Sequence, residues 1–303
     1  MFDAQYPVHM SLYRQTKELL QNAGCRPRKR LGQNFLVDAR ILDAIVEAAE
    51  LSSEDVVLEI GAGTGVLTQR LALSSSKVIA VELDEGLFCI LQSRFQDIPN
   101  VTLIHADVLD LDLSTLMSGE AGLKCFRERI KFVGNLPYYI TTPILMKLLE
   151  LYSLLPVQMI LVMVQDEVGA RMAASPGTKD YGALSVAIAY RSDAEILKHI
   201  PANSFYPEPK VDSVLVRLNM RPAPAVDVKD EKLFFQIVRS AFQYRRKTLR
   251  NALLLASRSG DIQFSESSID SAFQTLGFDH RRRGETLSIA EFADLANMIW
   301  SLT

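Results

Sequence analysis

The sequence predicts an α/β domain built on a parallel sheet covered on both faces, followed by a smaller all-helical domain. Three observations carry this. Short apolar, β-branched runs alternate with helix-like segments as far as Asp193, the pattern changes after that residue, and a Pro-rich stretch then gives way to purely helical periodicity. Strands are expected at Val56–Ile60, Lys77–Glu82, Val101–His105, Ile130–Val133 and Met159–Val164, with helices such as Leu67–Leu73 and Glu85–Phe95 between them. Ile196–Ile200 and Val211–Leu218 read as two later strands around the turn-rich PANSFYPEPK. Asn219–Asp230 is the boundary, and beyond it Phe234, Ile237, Val238, Ala241 and Phe242 recur on one helical face. The expected domains are residues 1–220 and 221–303.

A chain of 303 residues, 48% apolar and 23% charged, has enough material for one large core and a smaller one. The opening MFDAQYPVHMSLYRQTKELL lacks the apolar core of a signal peptide, and the most apolar run, Leu154–Val164, contains Pro156 and Gln158 and is too short to span a bilayer. Cys25, Cys89 and Cys125 show neither a pairing pattern nor metal-ligand spacing. A reduced, cytoplasmic setting is expected, with no metal and no membrane partner. Net charge is −3, yet the basic residues are bunched at Arg26–Arg30, Arg245–Arg250 and Arg281–Arg283, with no acid inside any cluster. A solvated face accounts for one such cluster; three in a mildly acidic chain point to a polyanion.

Ligands of open α/β sheets sit outside the carboxyl ends of the strands. The first strand runs into EIGAGTG, where Gly61, Gly63 and Gly65 allow a tight turn and close approach of backbone to a ligand. Val66 stands where a G-x-G-x-x-G dinucleotide pattern needs glycine, which counts against a nicotinamide cofactor. Glu82 ends the second strand, about 20 residues beyond the turn, where a carboxylate accepts both hydroxyls of a ribose; capping of the following helix is the plainer alternative. Asp107 follows the third strand as a candidate acceptor for an adenine amino group, and Asn135 follows the fourth. A ribose acceptor and an adenine acceptor without a lysine-bearing phosphate loop suit a nucleoside lacking a phosphate tail. S-adenosylmethionine is the common one.

LEIGAGTGVLT with Glu82, Asp107 and NLPY resembles the class I methyltransferases, and among them the N6-adenine enzymes. That resemblance implies a Rossmann-like, mostly parallel seven-stranded sheet with one antiparallel strand. It also implies that the Asn135 side-chain oxygen and the Leu136 carbonyl accept from the target amine while Tyr138 stacks on the base. Pro137 fixes the turn. Tyr139 reads as a core tyrosine. Leu136 stands where DNA enzymes of this chemistry usually have proline, which points to the RNA branch.

LGQNFLVD, MVQDEVGARM, FYPEPKVDSVLVRL, RRKTLRNAL and the closing RRGETLSIAEFADLAN are similar to the bacterial small-subunit ribosomal RNA dimethyladenosine transferases. The family implies that Asn34 and Leu36 line the cofactor pocket with Gly61, Gly63, Glu82, Asp107 and Asn135. Phe205 would take the opposite face of the target base. Tyr244 stands where the family usually has Gln. The implied substrate is a pair of adjacent adenosines in a hairpin near the 3′ end of 16S rRNA, within the small ribosomal subunit, modified by a monomeric enzyme whose helical domain binds rRNA. Three rival readings remain: a 23S rRNA adenine methyltransferase of antibiotic-resistance type, a non-catalytic ribosome-assembly factor and, third, a DNA adenine methyltransferase.

Overall fold

The computed structural model describes residues 10–118, 129–260 and 264–302, so Cys125 lies outside the described residues. In chain order the first elements are α1 (Leu12–Asn22), β1 (Phe35–Leu36), α2 (Ala39–Ala48), β2 (Asp55–Ile60), α3 (Val66–Ser74), β3 (Lys77–Glu82), α4 (Glu85–Phe95), β4 (Val101–His105) and α5 (Leu113–Ser118). There follow β5 (Arg129–Asn135), α6 (Thr141–Glu150), β6 (Val157–Gln165), α7 (Asp166–Met172), α8 (Ala183–Arg191), β7 (Ser192–Ile200), β8 (Phe205–Tyr206) and β9 (Ser213–Met220). The last four are α9 (Glu231–Gln243), α10 (Leu249–Ser259), α11 (Glu266–Leu276) and α12 (Ile289–Ser301). Among the described residues no helix is long and apolar enough to cross a membrane.

Seven strands form one sheet in the order β4-β3-β2-β5-β6-β9-β7. The pairings β3–β4, β2–β3, β2–β5 and β5–β6 are parallel, and β6–β9 is antiparallel. This is the mostly parallel seven-stranded sheet that the motifs implied. All six residues of β2 are buried, the signature of a strand covered on both faces. Strand order reverses between β2 and β5, so the crevice of an α/β sheet opens there. A buried ion pair holds the other end of these strands: Lys131 Nζ lies 3.1 Å from Asp55 and donates to the Ala49 and Glu50 carbonyls.

β9 begins at Ser213 rather than Val211, because the Asp212 carboxylate accepts from the Ala202 N–H at 2.9 Å and holds the chain in a turn. A second, two-stranded sheet joins β1 to β8, with Phe35 opposite Tyr206 and Leu36 opposite Phe205. Strands of two residues are too short for hydrophobic alternation to reveal.

Two compact units emerge, residues 1–169 with 195–220, and residues 170–194 with 221–303. They differ from a single cut at residue 220 because the stretch 170–194 belongs to the helical unit. Its Tyr181, Val186 and Tyr190 are buried in the same apolar cluster as Phe234, Phe273 and Phe292. The Tyr181 hydroxyl donates to the Leu287 carbonyl, and burial pushes that phenol up to about 12. The face foreseen on α9 is the buried one, with Phe242 half-buried at its edge.

Candidate active site

Register places the site. Ile60 pairs with Gly134, so the turn after β2 and the turn after β5 leave the sheet side by side. A Cβ on Gly134 would lie 2.6 Å from the Ile60 carbonyl oxygen, which is why that strand end carries glycine. Gly61, Gly63 and Gly65 all have positive φ, at 75°, 60° and 79°, a region L side chains rarely enter. Gly65 also faces a packing limit: a Cβ there would sit 2.5 Å from the Phe95 ring.

Two recesses meet at this point. The larger, about 660 Å³ and partly open to solvent, is walled by Leu31, Leu83, Val108 and Ile140 and carries Glu82 and Asp107. The smaller, about 450 Å³, runs past Leu36, Glu59, Thr64 and Met163. Phe35, Gly61, Gly63 and Asn135 line both.

Glu82 is 6% exposed, and burial raises its carboxyl above the ordinary range, partly offset by N–H donors from Asp84 (2.9 Å) and Gly63 (2.8 Å). It is therefore not the cap of the next helix. Asp84 caps α4, accepting from Gly86 and Leu87, and is held in turn by Arg28 at 3.0 Å and by Gln33. Asp107 accepts from the Leu109 N–H through one oxygen (2.9 Å) and lines the cleft. Glu59, fully buried at the end of β2, is pushed up to about 8, first by burial, with Thr68 opposing and the Glu82 charge adding; its Oε2 has no hydrogen-bond partner. That unpartnered oxygen, on a carboxyl kept protonated near neutral pH, borders the smaller recess and suits a polar hydrogen-bonding group.

Asn135 is oriented from far along the chain. Its Nδ2 donates to the Asn34 backbone carbonyl at 2.8 Å. A carbonyl only accepts, so the amide must present its NH2 there and keep its oxygen for another donor. Asn34 thus acts through its backbone, while its side chain donates to the Gly32 carbonyl, and its neighbours Gln33 and Phe35 line the larger cleft. Leu36 lines the smaller recess. Leu136 is buried as a side chain and donates its N–H to the Met163 carbonyl, so any functional contribution is from its backbone.

Tyr138 is half-buried, its hydroxyl 2.7 Å from Ser213 Oγ at the start of β9; burial raises the phenol and the Ser213 bond opposes this. Two expectations need correction. Tyr139 is not a core residue: it is 52% exposed and lines the larger cleft. Phe205 is 3% exposed, packed in the same apolar cluster as Ile200, Leu215 and Leu36, and offers no free face to a base in this conformation. The alternation of a strand buries Phe205 and leaves Tyr206 half-buried. Sequence reasoning also passed over Phe35, although it stands between the two residues chosen from QNFL.

The basic clusters divide into two kinds. Arg250 binds Asp270 and Glu266, Arg282 binds Glu291, and Arg245 binds Glu285. Arg246, Lys247, Arg281 and Arg283 are exposed, with no ion pair among those of the described residues. The Leu249 N–H donates to the Arg282 carbonyl at 2.7 Å, which joins the two basic turns into one patch of the helical unit. In the other unit Arg28 is paired with Asp84, while Arg26, Lys29 and Arg30 are exposed.

Residues 24–295 match the family model described as ribosomal RNA adenine dimethylase. The ribosomal RNA small subunit methyltransferase A of Clostridium acetobutylicum is 44% identical over 286 residues, 94% of this chain and 98% of that protein. The protein of the same name from Geobacillus thermodenitrificans is 46% identical over 287 residues, 95% of this chain and 96% of its own. Among solved structures, a dimethyladenosine transferase from Plasmodium falciparum superposes with a TM-score of 0.70 at 24% identity, covering 86% of this chain and 95% of its own, a likeness of fold. The 23S rRNA methyltransferase ErmE gives 0.62 at 25% identity, covering 88% and 99%.

Proposed function

The chain belongs to the ribosomal RNA adenine dimethylase family, and from that premise we propose that it converts two adjacent adenosines of small-subunit ribosomal RNA to N6,N6-dimethyladenosine with S-adenosylmethionine. The substrate is the hairpin near the 3′ end of 16S rRNA, and four cofactor molecules are consumed per RNA. When bound, the cofactor supplies an electrophilic methyl group on a sulfonium. Glu82 would hold the ribose hydroxyls and Asp107 the adenine amino group, while Leu36 and the backbone at Gly61 and Gly63 line the recess beyond. The fit rests on the two recesses meeting at Asn135, one with two carboxylates among apolar walls and the other with the unpartnered Glu59 oxygen.

The N6 of adenine is a weak nucleophile because its lone pair is delocalised into the ring. Acceptors on both amine hydrogens draw nitrogen toward tetrahedral geometry and free that pair. The Asn135 oxygen and the Leu136 carbonyl serve as these acceptors, and Tyr138 gives the base a face on which to stack, worth about 1–3 kcal/mol. Holding the amine in line for transfer is then mainly a matter of position. The observation that carries this reading is the Asn34 carbonyl, which fixes the Asn135 amide with its oxygen available. An RNA loop base is splayed out cheaply into such a site.

The test is incubation with unmethylated small subunits and isotopically labelled S-adenosylmethionine, followed by nucleoside mass spectrometry. Labelled N6,N6-dimethyladenosine is expected from the native chain and at least a hundredfold less from Asn135→Ala, on the scale of losing one preorganised polar group. Modification of large subunits alone would transfer the assignment to the antibiotic-resistance type. Particle binding that is equal in both proteins, with no methylation by either, would leave an assembly factor.

A further inference from the structure

The turn after Pro137 separates two consecutive tyrosines that look equivalent in sequence. Tyr138 is tethered to Ser213 and lines neither recess, whereas Tyr139 stands on the wall of the larger cleft. Tyr139 is 52% exposed, a large aromatic surface left in solvent beside Pro137 and Ile140. Its position is nevertheless defined. The ring packs along Gly32, whose Cβ, if present, would lie 3.4 Å from Tyr139 Cδ1, and Gly32 itself has φ +58°. Asp107 is close enough for its charge to help burial raise the phenol, so the hydroxyl stays neutral at ordinary pH. A half-exposed, neutral ring held at the mouth of a cleft that carries a buried carboxylate is placed to cover a flat, uncharged heterocycle.

Building on the function proposed above, we infer that Tyr139 is a cofactor-binding residue whose ring closes over the adenosine half of the cofactor. The two tyrosines then divide the work. Tyr138 faces the base to be modified, and Tyr139 serves the nucleoside that delivers the methyl group. Phe35, buried and shared by both recesses, forms a fixed apolar wall of the same cleft, so Tyr139 is the aromatic wall that solvent still reaches.

Titration calorimetry with S-adenosylhomocysteine, in the absence of RNA, tests this without relying on turnover. Tyr139→Ala should weaken binding about tenfold, within the range of a single aromatic–base stack. Tyr139→Phe should stay within about twofold, because the ring and not the hydroxyl is used. Both variants should melt with the native chain, since the side chain is half-exposed. Unchanged affinity in Tyr139→Ala beside normal binding by the native protein overturns the inference and leaves the function standing. So does a rise confined to the KM for ribosomal particles, which would assign the ring to RNA. A native chain that binds no S-adenosylhomocysteine overturns the function and this inference together.

Discussion

Glu59→Gln should change how stability depends on pH. The wild-type carboxyl is pushed from 4.5 to about 8 by complete burial at the end of β2. Below about pH 4.5 the folded and unfolded chains both hold this proton, and the group contributes no slope. Between about 4.5 and 8 the unfolded chain releases a proton that the folded chain keeps, so stability falls as pH rises. The fall is ~1.4 kcal/mol per pH unit, at most about 5 kcal/mol over the window and less once the site relaxes. Glutamine has no proton to lose, so this component vanishes. Glu82 shifts in the same direction and leaves a residual slope in both proteins. Glu291, lowered to about 2 chiefly by Arg282, loses its contribution only as pH falls through that value, outside the window. Urea midpoints followed by far-ultraviolet circular dichroism at about pH 5, 6, 7 and 8, without cofactor, read the effect. Glu59→Gln should gain on the native chain steadily toward pH 8. Parallel curves, with a constant offset, would mean that Glu59 is already ionised in the folded protein, and the argument from desolvation would be wrong.

Gly65→Ala combines a positive φ with a Cβ 2.5 Å from Phe95 and 2.8 Å from Leu91, so it should cost about 2–4 kcal/mol by urea denaturation, more than the ~1 kcal/mol expected for the left-handed backbone alone. The arginines should separate by role. Reversing Arg246 and Lys247 to Glu should leave the melting temperature within a degree or two and lower affinity for ribosomal particles, reducing the slope of log affinity against log salt by about 2. Arg282→Ala should instead destabilise the helical unit by about 1–2 kcal/mol, because it removes the partner of the Glu291 capping box.

Sequence exposed most of the sheet and four residues of the candidate site because those depend on local rules. A β-branched run is a strand wherever both faces are covered, and a polar residue ending it stands at the carboxyl edge whatever the rest of the chain does. Gly61, Glu82, Asp107 and Asn135 were found by that reasoning, and the sheet register brings their strand ends together. The assignment of 170–194 to the helical unit was not legible, because the stretch reads locally as a continuation of the α/β pattern while its Tyr181, Val186 and Tyr190 are buried in one apolar cluster with residues that follow Asp230.

The same distinction explains the aromatic residues that sequence placed wrongly or missed. LPYY alone does not show what surrounds either ring. Tyr138 is turned by a hydroxyl 75 residues away, at Ser213, and Asn135 by a carbonyl 101 residues away, at Asn34. Phe205 belongs to the same problem, since its burial follows from the β1–β8 pairing, which places it opposite Leu36. That pairing joins the QNFL segment, whose Phe35 and Leu36 line the recesses, to the segment from which Phe205 was expected to reach a base. A movement that exposed Phe205 would therefore disturb the Leu36 wall of the smaller recess as well. Stacking by Tyr138, anchored at Ser213 outside that pairing, makes no such demand, which favours Tyr138 over Phe205 as the stacking residue in the proposed mechanism.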